Sequence, residues 1–288
     1  MFFFILVGCD ISKSGDQNKL SNEPVIINIG LGQSVDVLLN DSPVQFTEDC
    51  LAAVGMCWYE VRRNGKGQSL INVSVNQPEG AILIERVVGL SVVIKGERTN
   101  SVEDLTVTLR GLPDNSSHEE NKKIVYALIT NLKASGWKQY YYPSAPRIPG
   151  SELHKFDWES SVFGDAPLTH SLFNVDYEMS LPDWLASGDF YDWYMYSGDY
   201  VSHVRVWRSD SLAHPKQTGI YLINVEFMSL DNFWRRDFEE AVRPKWKELF
   251  PAHLQQLRNK RLLTEARAKA AGVSIDENYL PPRIERVN

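Results

Sequence analysis

Carboxylates set beside large aromatic rings are the side chains in this sequence best placed to do chemistry. An Asp-Trp pair recurs three times, at Asp157-Trp158, Asp183-Trp184 and Asp192-Trp193. Tyr177, Phe190, Tyr194, Tyr196 and Tyr200 crowd the same stretch, with Asp165, Asp176, Glu178, Asp189 and Asp199 among them. Rings acting as anchors, with acids that steer a basic partner, would make a protein-binding surface. Rings facing sugars, with carboxylates as binding groups or as a hydrolytic pair, would make a carbohydrate site. A plainer account stays open. Neighbouring residues of a strand face opposite sides, so each Trp can pack inward while its Asp faces water.

The motifs that announce an enzyme are missing. There is no GxSxG, HExxH, Walker A or strand-following GxGxxG sequence. We therefore assign no catalytic residue and expect no cofactor. Histidines 118, 154, 170, 203, 214 and 253 include no pair spaced to share a metal on a helix face. His118, beside Glu119 and Glu120, reads as a solvated residue in a helix's first turn. Neither Cys50 nor Cys57 has a nearby His or CxxC partner, so no metal site is expected.

With 288 residues, 43% hydrophobic and 23% charged, the chain has the composition of a globular protein. A net charge of −7 leaves no basic footprint for nucleic acid. The positioning elements read as α+β, in two mainly antiparallel sheet-plus-helix halves. Residues 24–143 form the first half. Apolar and β-branched runs predict strands over 25–29, 35–39, 58–62, 69–75, 81–85, 90–95 and 106–110, with Asn64-Gly65 as a hairpin turn. A helix follows from a Ser116-Ser117 cap to Ser135-Gly136, then a strand or aromatic segment over 137–142.

Three prolines in 143–150 make residues 144–150 a linker. The second half, 151–250, predicts strands over 174–179, 191–196, 201–208 and 219–228. Its helices fall over 181–186, 233–242 and 245–250. The segment 251–288 predicts a C-terminal helix over 253–271 and a loose tail. Arg258, Lys260, Arg261, Arg267 and Lys269 face only Glu265 in that helix, which suits a solvated face or contact with anionic lipid. Strand, Leu, Asn cap and helix recur at 107–115 and 225–232. A degenerate duplication and a chance recurrence of a common unit explain this equally.

The first nine residues are apolar and end in Leu6-Val7-Gly8-Cys9, which resembles a bacterial lipobox. No Lys or Arg precedes the run, so residues 1–9 read as the remnant of a lipoprotein signal, the other account being a buried N-terminal strand. The resemblance implies lipid attachment at Cys9 and a periplasmic, membrane-anchored protein, with 10–23 as a flexible tether. Asp10 looks like an inner-membrane retention signal. In that oxidising compartment Cys50 and Cys57 are expected to form a disulfide, the alternative being two buried thiols. Lipobox, tether, aromatic α+β body and the segment from Leu112-Pro-Asp-Asn115 to Gly136-Trp137-Lys-Gln-Tyr140 together resemble periplasmic immunity lipoproteins. Those proteins are paired with lipase and phospholipase effectors of type VI secretion systems. The resemblance implies that the partner is a cognate toxin, blocked by binding. Asp157, Trp158, Asp183, Trp184, Asp192 and Trp193 are the expected interface.

Overall fold

The computed structural model describes residues 25–63, 68–95, 100–155 and 171–286. Cys9, Asp10, the Asn64-Gly65 turn, Asp157 and Trp158 lie outside the described residues. The elements, in chain order, are β1 (Ile26–Gly30), α1 (Val35–Asp41), β2 (Thr47–Leu51), β3 (Met56–Arg62), β4 (Ile71–Gln77), β5 (Gly80–Lys95) and β6 (Asp104–Arg110). Then come β7 (Ser116–Ser117), α2 (His118–Ala134), β8 (Lys138–Gln139), α3 (Leu181–Ala186), β9 (Phe190–Ser197), β10 (Tyr200–Asp210), β11 (Thr218–Ser229), α4 (Leu230–Arg236) and α5 (Trp246–Ala270). The fold is α+β, with a C-terminal helix.

The strands of both sequence halves join in one sheet, ordered β1-β4-β5-β6-β11-β10-β9-β8, with the β2–β3 hairpin on the far half of β5. The seam is β6–β11, where Val107 pairs with Val225. Pairing is antiparallel throughout except for β1–β4. Strand alternation sorts the side chains into two faces. Inward lie Val107, Tyr191, Trp193, Val204, Val206, Ile223 and Val225, buried with Val125, Ile129 and Leu132 of α2 in the main core. Outward, at one end of β9–β11, Tyr196, Val201 and Met228 join Trp234 of α4 and Phe250 and Leu254 of α5 in a second core. The two strand–cap–helix units thus send their helices to opposite faces of the sheet. They share a local pattern but no common layer.

Capping explains most helix starts. Ser117 accepts from the Glu120 amide at 3.2 Å and Ser229 from the Asn232 amide at 3.2 Å. Ser229 therefore starts α4 earlier than the apolar spacing predicts. Residues 35–39 are helical rather than extended, because Ser34 caps Asp36 and the buried pair Val35 and Leu38 follows helical spacing. A single helix, α5, runs through Pro251, since Phe250 and Leu254 are buried together one turn apart across it. Residues 174–179 form no strand. Side chains satisfy them instead: Gln139 Oε1 accepts from the Val175 amide at 2.8 Å, and Tyr126 Oη from Met179 at 3.0 Å. Of 137–142, Lys138–Gln139 forms a short strand on β9, and the Tyr140 amide donates to the Tyr194 carbonyl of the same strand at 3.0 Å.

The proline-rich segment 143–150 is packed rather than free. Ala145 and Ile148 are buried, and Arg147 forms a two-pronged ion pair with Glu265 at 2.8 Å. Arg261 donates to the carbonyls of Tyr141, Tyr142 and Ala145. Glu265 thus pins α5 to this segment, and its charge also favours Arg261 of the same helix. No helix among the described residues is long and apolar enough to cross a membrane.

Candidate functional site: the open outer face of the sheet

The two described Asp-Trp pairs do not form one surface. Trp184 and Trp193 are fully buried, in a stack with Tyr191 at ring separations of 4.0 and 6.2 Å. The plainer account holds for these rings, and they cannot anchor a partner. Asp183 sits in the first turn of α3, hydrogen-bonded by Ser180 at 2.6 Å, in the layer over the inner face. Asp192 points the other way.

His118 is wholly buried, which corrects the expectation of a solvated residue. Its Nδ1 lies 2.7 Å from Tyr221 Oη, its Nε2 lies 3.0 Å from the Pro215 carbonyl, and Trp184 Nε1 donates to the same Tyr221 oxygen at 3.0 Å. The chain of bonds holds α2 and α3 to β11. Gly219 leaves the room it needs, because a Cβ there would stand 2.8 Å from the imidazole.

On the outer face, register aligns side chains into rows. Next to the helix-covered row of Tyr196, Val201 and Met228 run Tyr194, His203, Glu226 and Thr106, followed by Asp192, Arg205, Asn224 and Thr108. His203 is buried between two carboxylates, 2.6 Å from Asp192 and 3.6 Å from Glu226. Tyr194 stacks on its ring at 4.1 Å. Burial disfavours the imidazolium, but hydrogen bonds and charges from Asp192 and Glu226 outweigh it, so His203 titrates above its usual range. Burial likewise raises Asp192, yet His203 and Arg205 hold its carboxyl below the usual range. Arg205 bridges the same two acids at 3.4 and 3.6 Å. Asp192→Lys is thus no simple surface reversal. It should lower stability by about 1–3 kcal/mol in a urea titration, because it leaves His203 facing a like charge. A change inside measurement error would mean that the network contributes nothing.

Beyond this network the face turns apolar. Phe190, Trp207 and Leu222 are register neighbours on β9, β10 and β11, with Ile220 two residues from Leu222 on the same face of β11. They are 60%, 40%, 41% and 42% exposed. Four large apolar side chains held at adjacent points of a rigid sheet form a contiguous patch of the kind that marks binding surfaces. Sequence reasoning named Phe190 but missed the other three.

Cys50 and Cys57 are joined, facing each other across β2–β3 with a Cα–Cα distance of 4.1 Å. Peptide mapping without reductant should recover this linked pair; two free thiols would refute it. Comparison with protein-family models, curated proteins and solved structures yields no match to this chain.

Proposed function

We propose that this protein is a periplasmic, lipid-anchored immunity protein that binds a lipase or phospholipase toxin stoichiometrically and blocks it. The patch of Phe190, Trp207, Ile220 and Leu222 carries the reading, because it offers exposed anchors on a backbone that needs no ordering to bind. The Leu6–Cys9 resemblance supports the anchor. The patch replaces Trp184 and Trp193 as the expected contact, and Asp192 stays at its border with Arg205.

The test is inhibition of lipid hydrolysis by the lipase or phospholipase toxin proposed as its cognate partner. The full chain should abolish hydrolysis at one-to-one stoichiometry, and Trp207→Glu should weaken binding by about 30-fold or more, equivalent to ~2 kcal/mol. Full inhibition by a folded Trp207→Glu/Leu222→Glu variant would remove the patch as the interface. Cys9→Ser should move the protein from membrane to soluble fractions; retention in the membrane would refute the lipid anchor. A second reading rests on Phe190 and Trp207 lying beside Asp192, Arg205 and Asn224, which suits a glycan. Trp207-dependent retention on cell-wall polysaccharide, with no effect on hydrolysis, would select it.

A further inference from the structure

We propose that the β2–β3 hairpin, once its disulfide is reduced, binds a thiophilic divalent cation such as Zn2+ through Cys50, Cys57 and Glu48. Among the described residues this trio brings its two sulfurs and a carboxylate oxygen within 4.8 Å of one another. The juxtaposition follows from strand geometry. Glu48 and Cys50 are two apart on β2, so they share a face, and register sets them opposite Tyr59 and Cys57 on β3. Glu48 Oε1 lies 3.2 Å from Cys50 Sγ and accepts from Tyr59 Oη at 3.4 Å. Tyr59 thereby orients the carboxylate toward the sulfurs, as outer partners of metal ligands do.

Charge supplies the drive. Two thiolates and a carboxylate this close repel one another, and either protons or a divalent cation must compensate. Zn2+ accepts this donor set, with three protein ligands and a fourth position for water. Soft sulfur donors select it over Mg2+ or Ca2+. Every residue of β2 is exposed, so both reductant and metal can reach the site. In the reducing step a dithiol gives two electrons and two protons to the Cys50–Cys57 bond, yielding two thiols and the reductant's own disulfide. In the binding step the two thiols release two protons to water as two sulfur–metal bonds form. The loop between Cys50 and Cys57 stays closed in both states, by a covalent bond in one and by metal in the other.

The test uses the full chain, reduced with a dithiol, freed of it anaerobically and titrated with Cd2+, whose thiolate charge-transfer absorption reports sulfur ligation. One Cd2+ per chain should bind, be displaced by Zn2+, and fail to bind the oxidised chain. Cys50→Ser should abolish the band, Cys9→Ser should leave it, and Glu48→Gln should weaken binding roughly 10–100-fold. Glu48 and Cys50 lie on an exposed strand, and circular dichroism of each variant separates binding from folding. No uptake by the reduced folded chain would overturn the proposal, as would a band that survives Cys50→Ser or an affinity untouched by Glu48→Gln.

Discussion

Arg208→Ala is expected to lower unfolding free energy by about 3–5 kcal/mol, the range for removing one partner from a buried charge network. Arg208 is a strand residue on the inner face of β10, where its guanidinium is almost wholly enclosed. It donates to the carbonyls of Trp184 at 2.9 Å and Leu185 at 3.1 Å, to Tyr191 Oη at 2.5 Å, and pairs with Asp210 at 2.8 Å. Those two carbonyls belong to the last turn of α3, which lacks helical partners for them. A cation there also complements the negative end of the helix. Without Arg208 the Leu185 carbonyl and Tyr191 Oη lose their donor and Asp210 loses its guanidinium partner, while the Trp184 carbonyl keeps Tyr191 Oη and Ser187 Oγ as donors. Urea unfolding would measure the change. Arg110→Ala, on the exposed end of β6, is the control and should fall within about 0.5 kcal/mol of wild type. An Arg208→Ala loss below 1 kcal/mol would mean that water replaces the guanidinium without penalty.

Arg208 also shows where sequence reading stops. Alternation along β9–β11 was legible because one face of each strand is mostly apolar, and α2 because its cap and its 3.6-residue period agree. An arginine in an otherwise alternating strand reads as solvent-facing. Only the arrival of α3 over that position makes it structural. His118 misleads for the same reason: its two acidic neighbours mark a helix start, but β11 and the Pro215 carbonyl bury the ring.

The outer face was illegible for a different reason. Phe190, Trp207, Leu222 and Ile220 come from three strands, and each alone is an ordinary outward apolar residue. What makes them a patch is that α4 and α5 cover only one end of the same face. Sequence shows that the chain has a C-terminal helix, but not which part of the sheet that helix leaves open. Glu48 and Cys50 were likewise separated from their cross-strand partners, because the Cys50-to-Cys57 spacing does not disclose that the flanking residues are strands in register.

Stability should fall as pH rises from about 4.5 to about 7, and Glu285 is the main cause. The C-terminal segment turns back against α4 and α5 and buries this carboxyl almost completely. Tyr140 Oη donates to it at 2.7 Å, and Arg258 donates to its backbone carbonyl. Arg261 faces the same space but spends its donors on main-chain carbonyls of 141, 142 and 145. Burial therefore wins over the hydrogen bond from Tyr140 and the charges of Arg261 and Arg258, and the carboxyl is pushed up to about 7. The folded state then holds a proton that the unfolded chain releases near 4.5. The stabilisation is complete below that pH, shrinks through the interval and is gone above 7. The displacement corresponds to roughly 3 kcal/mol. His203, also raised, adds a loss in the same direction, whereas Asp192, Glu226 and Glu265, held low, lose their contribution only in acid. Glu285→Gln isolates the effect, because the amide keeps an acceptor for Tyr140 and cannot ionise. The difference in unfolding free energy between the two proteins should change by about 3 kcal/mol between pH 4.5 and pH 8, in favour of the variant at the higher pH. Parallel pH profiles would show that Glu285 ionises in the folded protein as it does in water.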